Sequence, residues 1–154
     1  MKSNIDKTTI HELLNQKKKD DIQKIVVGAI IELDSKFLLL ERAPCDFMGG
    51  LITLPSGSVQ AGENLLQALV REVKEETSLT VTVIESYLGS FDYESSSGKK
   101  VRQFNFLVET EPGDIRLDPT EHCSYYLLIP SDEEFSKLNI SKGTKKVLLT
   151  AKTK

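Results

Sequence analysis

The chain has 154 residues, of which 39% are hydrophobic, and its formal net charge is -3. This length and hydrophobic fraction suit one domain with a single core. The small negative charge excludes the strongly basic surface that binding to a nucleic-acid polymer requires. No stretch approaches the roughly 20 apolar residues of a membrane-spanning helix, and the N-terminal residues lack the apolar run of a signal peptide. We therefore expect a cytoplasmic protein that binds neither a membrane nor a nucleic-acid polymer.

The two cysteines, Cys45 and Cys123, are far apart in the sequence. Disulfide-stabilised secreted domains have a dense, even set of cysteines, which this chain lacks. We expect a reducing compartment and two ordinary, small buried residues.

The segment from Thr8 to Asp21 is predicted to form a short polar helix. Its apolar residues stand at helical spacing and are Ile10, Leu13 and Leu14. We assign residues 1–22 to an N-terminal helical extension and residues 23–154 to the main domain. The helix would pack either on this domain or on a second subunit, so a homodimer remains open.

From Lys24 onward the sequence favours strands. KIVVGAIIEL and KFLLLERA are apolar, β-branched runs separated by a turn at Asp34–Ser35, which predicts a buried hairpin. Residues 44–62 are rich in glycine and proline and are predicted to be an irregular loop that approaches a ligand with its backbone. Asn64 to Thr77 is the clearest predicted helix of the chain.

After this helix the pattern returns to strands and then to helices. Two long strands, TVTVIESYLGSFDY and VRQFNFLVET, are joined by a turn at residues 95–98, and a third strand is predicted at Cys123 to Ile129. A short helix follows Ser131, and another covers Gly143 to Lys152. The order predicts an α+β fold in which a mixed sheet is sandwiched between helices, as α/β/α layers.

The predicted helix at Asn64 to Thr77 has two distinct faces. At about 100° per residue, Glu75 and Glu76 fall within about 60° of Glu72. Its apolar stripe, roughly 110° away, contains Leu66, Leu69, Val70, Val73 and Thr77. Clustered carboxylates repel one another, so this face is mildly unfavourable without a cation. Oxygen ligands of this kind suit Mg²⁺ or Mn²⁺, with a diphosphate completing the coordination. A solvated acidic face is the alternative.

The residues around this helix match a known motif. Gly57, then five residues, Glu63, then seven residues, and Arg71-Glu72-Val73-Lys74-Glu75-Glu76-Thr77-Ser78-Leu79 resemble the Nudix box. The resemblance extends from about Val26 to Leu149 and is closest to the MutT-like branch of small nucleotide pyrophosphohydrolases. It implies the Nudix fold and makes residues 23–154 the Nudix hydrolase domain. The motif's late glycine is replaced by Ser78, for which we expect local strain of about 1 kcal/mol without loss of catalysis.

The resemblance also implies roles for individual residues. The metal ligands would be Glu72, Glu75, Glu76 and the backbone carbonyl of Ser56. Catalytic roles are expected for Glu72, Glu75, Glu63, Arg71 and Glu121. Within this group, Glu63 and Arg71 would brace the loop against the helix, and Glu121 would face the site as a second acid. Gly57 removes the side chain that would keep the loop backbone from metal and phosphate.

Substrate contacts are predicted beyond the box. Arg102 and Gln103 are candidates for contacts to phosphate or base edges. Phe104 is a candidate for stacking on a base, with packing in the core as the alternative that is favoured for most aromatic residues of these strands. His122 is expected to be a structural or surface residue, although a base contact is an alternative.

The function that we expect is Mg²⁺- or Mn²⁺-dependent hydrolysis of a (deoxy)nucleoside triphosphate, including an oxidised one, to monophosphate and pyrophosphate. A second enzymatic interpretation is a nucleotide-sugar, ADP-ribose or dinucleotide pyrophosphatase. An interpretation of another class is a Nudix-like module that binds a ligand without turnover, which would be marked by loss of Glu75 or Glu76. Both residues are present.

Overall fold

The computed structural model of the protein describes residues 1–46 and 48–153. Its strands are β1 (Lys2–Ser3), β2 (Lys24–Leu33), β3 (Lys36–Arg42), β4 (Ile52–Thr53), β5 (Ser56–Ser58), β6 (Val81–Glu94), β7 (Lys100–Thr110) and β8 (His122–Leu128). Its helices are α1 (Lys7–Lys19), α2 (Leu65–Thr77), α3 (Asp132–Ser136) and α4 (Lys142–Lys152). None of the helices in these ranges is long and apolar enough to cross a membrane.

Strand β2 lies at the centre of a mixed sheet. It runs parallel to β7 over eight residue pairs, from Lys24–Val101 to Ile31–Val108, and antiparallel to β5 on its other side. Strand β6 continues the sheet as the antiparallel partner of β7. A second group of antiparallel strands, β4, β3 and β8, joins at the end of the β2–β3 hairpin. The α+β class with a mixed sheet and flanking helices is confirmed.

The core has two parts because side chains alternate across the strands. One part packs α2 on the sheet and includes Val27, Leu69 and Phe104. The other packs α4 on the sheet and includes Ile30 and Leu148. The apolar residues of α1 lie against the first part, so this helix is attached to the domain and not separated from it.

The loop predicted at residues 44–62 contains the two short strands β4 and β5. A segment so rich in glycine and proline does not have the pattern of a strand, so neither strand was predicted. β5 forms because it pairs with β2 and not because its residues favour a strand. Strand β1, which pairs in parallel with β6, was also missed. Both cysteines are exposed, so our expectation that they are buried is wrong.

Helix α2 has well-defined ends. Asn64 and Gln67 form a capping box: the Asn64 side chain accepts from the Gln67 N–H, and the Gln67 side chain accepts from the Asn64 N–H. At the other end, Ser78 takes the left-handed conformation with φ of 69°, which is the geometry expected for a residue that replaces glycine. These two ends set which residues of the helix face the sheet.

Candidate functional site

The three box carboxylates of α2 have different environments. Glu75 is the most exposed, with 55% of its side chain accessible, whereas Glu72 is 13% accessible. Glu76 is 5% exposed and lies among the buried residues of the helix. The acidic face is therefore only partly solvated, and Glu76 is buried although the sequence placed it on a face separate from the apolar stripe.

Glu76 is a buried carboxylate with few compensating partners. The Ser56 N–H donates a hydrogen bond of 2.6 Å to its Oε1. Burial raises the pKa of Glu76 to about 9, and the nearby negative charges of Glu72 and Glu121 act in the same direction. Among residues 1–46 and 48–153, no lysine or arginine forms an ion pair with it. A buried carboxylate that lacks a cation is a suitable ligand for a metal ion.

Gly57 is in direct contact with Glu72, the first carboxylate of the helix. A side-chain carbon built on Gly57 would overlap the carboxylate of Glu72. Gly57 lies on β5, where it pairs with Val27 of the central strand, so the backbone cannot move away without breaking the sheet. Only glycine lets strand and carboxylate approach this closely.

Arg71 connects the loop and the helix. Its guanidinium donates to both carboxylate oxygens of Glu63, at 2.7 and 2.8 Å, and to the carbonyl oxygen of Ser58 at 2.9 Å. It also donates to Glu72 at 2.7 Å and to Glu75 at 3.2 Å. Because this planar group is shared among several acceptors, it fixes where β5 and the carboxylates of α2 lie relative to each other.

A further acid and a histidine reach the same place from the other group of strands. One ligand atom each from Glu76, Glu121 and His122 lie within 4.8 Å of one another. His122 is 4% exposed, and its Nδ1 is 3.8 Å from Glu76 Oε2. This nitrogen has no hydrogen-bond partner among the described residues. Burial lowers the pKa of His122, which favours the neutral ring with a lone pair available for a ligand.

These observations agree with the binding of a divalent cation. Glu72, Glu76 and Glu121 line the cleft with hard oxygen donors, and His122 Nδ1 is a nitrogen donor that has no hydrogen-bond partner in residues 1–46 and 48–153. Glu75 is more exposed and already shares Arg71 with its neighbours. The sequence favoured a structural or surface position for His122. Its closeness to Glu76 arises from the pairing of β8 with β3, which the sequence alone does not show.

Arg42 was not selected by sequence analysis. It lies at the end of β3, where it is in register with His122. Its Nη1 is 3.5 Å from Asp46, but its Nε is buried and has no hydrogen-bond partner within the described part of the chain. An arginine whose donors are incompletely used beside a carboxylate cluster can bind an anion such as phosphate.

These residues border a cleft of about 610 Å³. Its lining includes Glu72, Glu76, Glu121 and His122, together with Arg42 and Gly57. Aromatic and polar residues from β6, β7 and the start of α4 also line it: Phe91, Tyr93, Gln103, Ser141, Gly143 and Thr144. The volume suits a drug-sized or nucleotide-sized ligand.

The substrate residues predicted on β7 separate into two groups. Gln103 lines the cleft, whereas Phe104 is 1% exposed in the core, because successive side chains of a strand point to opposite faces. Arg102 forms ion pairs with Asp20 at 2.9 Å and with Asp92 at 2.7 Å. Because the structure places Arg102 and Phe104 outside the lining of the cleft, we do not include them in the proposed site.

Comparisons with known proteins agree with this geometry. Residues 22–149 match the family described as NUDIX domain. The chain is 40% identical to the ADP-ribose pyrophosphatase of Methanocaldococcus jannaschii over 48% of this chain and 47% of that protein. It is 44% identical to the CTP pyrophosphohydrolase of Escherichia coli over 46% of this chain and 52% of that protein. The matches thus span about half the length of these curated relatives.

Solved structures show the same similarity over more of the chain. The MutT protein from Methanosarcina mazei superposes with a TM-score of 0.71 at 29% identity, over 82% of this chain and 90% of that one. The ORF135 protein of Escherichia coli has a TM-score of 0.69 at 27% identity, over 87% of this chain and 92% of that one. The family match covers most of the chain, and the protein belongs to the Nudix family.

Proposed function

We propose that the protein is a pyrophosphohydrolase that depends on a divalent cation and cleaves a (deoxy)nucleoside triphosphate to monophosphate and pyrophosphate. The observation that carries the proposal is the buried Glu76 carboxylate, which has no lysine or arginine partner within the described residues and lies with Glu121 and His122 beside a nucleotide-sized cleft. A site of this kind is unfavourable for the fold unless it binds a cation.

The residues proposed to hold Mg²⁺ or Mn²⁺ are Glu72, Glu75, Glu76 and the carbonyl of Ser56, together with Glu121 and His122. When bound, the cation neutralises phosphate oxygens and lowers the pKa of a water molecule. The chain's own residues do the positioning. Arg71 and Glu63 hold β5 against α2, and Gly57 lets the backbone approach Glu72.

General-base catalysis is proposed for Glu72, with Glu121 as the second acid that faces the site. Burial raises the pKa of Glu72, whereas the Arg71 hydrogen bond opposes this effect. Burial also raises the pKa of Glu121, and Asp118 and Asp46 add to the effect. Carboxylates in such surroundings are better proton acceptors than exposed ones.

Arg42 is proposed to bind a phosphate of the substrate. The side chain lines the cleft beside Glu121 and His122, and its Nη1 lies 3.5 Å from Asp46. A phosphate that accepts from this guanidinium would be held close to the carboxylates. The position of this bound phosphate would then determine which phosphorus is attacked.

The names of the relatives support two substrate classes. The Escherichia coli relative is a CTP pyrophosphohydrolase, which favours a triphosphate, and the Methanocaldococcus jannaschii relative is an ADP-ribose pyrophosphatase. We retain ADP-ribose, and with it nucleotide sugars and dinucleotides, as the second candidate class. An oxidised base remains a finer alternative within the first class. A module without turnover is disfavoured because all the box carboxylates are present.

A release assay over a panel of nucleotides tests the proposal. Each triphosphate, ADP-ribose and a nucleotide sugar is incubated with the protein and Mg²⁺ or Mn²⁺, and pyrophosphate, orthophosphate and monophosphate are measured separately. We expect pyrophosphate and monophosphate from at least one triphosphate. Orthophosphate as the sole leaving product would contradict the proposal. Turnover of ADP-ribose without any triphosphate would preserve the metal site and reject the substrate class.

Labelling with ¹⁸O water identifies the phosphorus that is attacked. Attack on an internal phosphorus releases pyrophosphate, and attack at the β-phosphorus places the label in that product. Label in the nucleoside monophosphate would instead show attack at the α-phosphorus.

A further inference from the structure

Two buried amide side chains lie on β7 next to each other on one face. Gln103 is 3% exposed and Asn105 is fully buried, and these residues alternate with the core residues Phe104 and Phe106. Gln103 Nε2 donates to Asn105 Oδ1 at 2.9 Å. Buried uncharged polar groups in a sheet are unfavourable unless they are hydrogen-bonded, so this pair needs an explanation.

Backbone carbonyls fix the orientation of both amides. Asn105 Nδ2 donates to the carbonyl oxygen of Gly89 at 3.1 Å and to that of Gln103 at 3.3 Å. A carbonyl oxygen can only accept, so the Asn105 nitrogen must point at these two groups. The Asn105 oxygen then points at Gln103 and requires the donor end of that amide. The reversed arrangement would oppose oxygen to oxygen.

The consequence is that Gln103 presents its oxygen and not its nitrogen to the cleft. Gln103 lines the cleft, and its Oε1 has no hydrogen-bond partner among the described residues. Gln103 is 3% exposed and lines the cleft, so its unpaired oxygen is an end of the amide that a ligand can reach. The side chain of a free glutamine could turn either end to a ligand, but here the nitrogen is held by its hydrogen bond to Asn105 and the oxygen is the end without a partner.

Gly28 makes room for this arrangement. A side-chain carbon on Gly28 would overlap both the Gln103 nitrogen and the Asn105 oxygen. Gly28 pairs with Asn105 on β7 and with Ser56 on β5. The amide pair and the segment that touches the box carboxylates are therefore attached to the same residue of the central strand.

We propose that Gln103 Oε1 recognises the exocyclic amino group of the substrate's base, at C4 of a pyrimidine or C6 of a purine, and that Asn105 is the positioning residue that keeps the oxygen in place. This inference rests on the proposed hydrolysis of nucleoside triphosphates. Cytosine and adenine donate from this position, whereas uracil and hypoxanthine carry an oxygen there. A keto oxygen facing Oε1 would leave both acceptors unpaired in a largely desolvated place.

Matched pairs of substrates test the inference. We compare kcat/KM for CTP against UTP and for ATP against ITP, which differ in the group at this position. Purine riboside triphosphate, with hydrogen at C6, separates a missing donor from a clash of oxygens. In each pair we expect kcat/KM to be higher for the substrate with the amino group than for the one with the keto group, by about tenfold or more, and purine riboside triphosphate should lie between ATP and ITP. The reason is that a site whose polar groups are left unpaired rejects an analogue by this order or more.

Variants identify the atoms responsible. Gln103→Leu removes the acceptor and should bring the amino-to-keto ratio close to one. Asn105→Leu leaves Gln103 in place but frees its amide to rotate, so the ratio should fall here also, mainly because keto substrates improve. Gln60→Leu removes another amide of the cleft lining and should keep the ratio of the unmodified protein. Circular dichroism verifies that each variant is folded.

The outcomes separate the two proposals. If triphosphates are hydrolysed with equal kcat/KM for amino and keto bases, or if Gln103→Leu keeps the discrimination, the base contact is rejected and the proposed function stands. If Asn105→Leu is unfolded, Gln103→Leu alone decides. If no triphosphate is hydrolysed, the proposed function itself fails, and this inference fails with it.

Discussion

The α-carbon of Gly57 lies so close to the carboxylate of Glu72 that no side chain fits between them. One residue belongs to a strand of the sheet and the other to helix α2, so the contact sets the distance between the two elements at the site. The predictions that follow use this contact and its neighbours.

Gly57→Ala should lower kcat by at least about tenfold while the protein remains folded, because the new methyl group displaces Glu72 and small displacements of reacting groups are costly. Gly113→Ala is the matched control, because its new methyl group would meet Leu79 Cδ2 at an ordinary contact distance of 3.9 Å. Steady-state kinetics and circular dichroism on both variants make the comparison. Equal activity of the two variants would show that the Gly57 contact has no role in catalysis.

Glu76→Gln should abolish turnover, by about a hundredfold or more, and should stabilise the metal-free protein. The amide keeps the acceptor for the Ser56 N–H but removes a carboxylate that is buried without a cation. We expect the free energy of unfolding to rise by about 1–2 kcal/mol at neutral pH. Glu111→Gln, at an exposed position, is the control and should change neither quantity. A destabilised Glu76→Gln protein would contradict the burial argument.

Chelation with EDTA should remove all activity, and Mg²⁺ or Mn²⁺ should restore it, because oxygen ligands on a surface cleft exchange the cation readily. Titration of the metal-free protein with Mn²⁺, measured by calorimetry, should show binding of the ion. This binding should be weaker in Glu72→Gln and in His122→Phe. Turnover after exhaustive chelation would exclude the proposed mechanism.

The Glu63–Arg71 contact should make stability depend on pH in acid. Hydrogen bonds from Arg71 and from the Gln60 N–H lower the pKa of Glu63 from 4.5 to about 2. A carboxyl group whose pKa is lower in the folded state stabilises the fold above its unfolded pKa and loses this effect as pH falls toward the folded value. The stability difference between the unmodified protein and Glu63→Gln should therefore be complete above roughly pH 5 and shrink toward pH 2. Urea titrations measure it, with Glu12→Gln as the exposed control.

Ser78→Gly should stabilise the protein without changing kcat. Ser78 has φ of 69°, where a side chain costs about 1 kcal/mol relative to glycine. Part of this gain is offset, because the Ser78 hydroxyl donates to the carbonyl oxygen of Arg116 at 3.1 Å. A net rise of about 0.5 kcal/mol in the free energy of unfolding is expected from the two effects together. A net loss would mean that the hydrogen bond outweighs the backbone strain.

The sequence predicted local structure better than the contacts between elements. Helical spacing located α2, and the assignment of its carboxylates to the metal, which the resemblance implies, stays a prediction. The burial of Glu76 depends on where β5 lies, and β5 is hidden in a segment rich in glycine and proline. Arg42 and His122 meet only because β3 and β8 pair. These contacts join residues that are distant in the sequence, and local periodicity contains no information about them.

The sequence could have shown that Gln103 lies on the opposite face of its strand from its neighbours. Gln103 and Asn105 are polar residues at alternate positions of an otherwise apolar strand, which is the signal that they share a face. Arg102 and Phe104 stand at the intervening positions, so their side chains point to the opposite face of the strand. Grouping the three residues 102–104 as one substrate contact overlooked this alternation.

The first 22 residues contact the rest of the chain through the pairing of Ser3 with Ile84, the ion pair of Asp20 with Arg102 and the apolar residues of α1. We propose that they form a helical extension packed on the domain of residues 23–154. A fragment limited to the residues that match the family would expose the apolar surface that α1 covers and would leave the edge of β6 without its partner strand. Such a fragment is expected to aggregate during purification, so experiments on this protein should use all 154 residues.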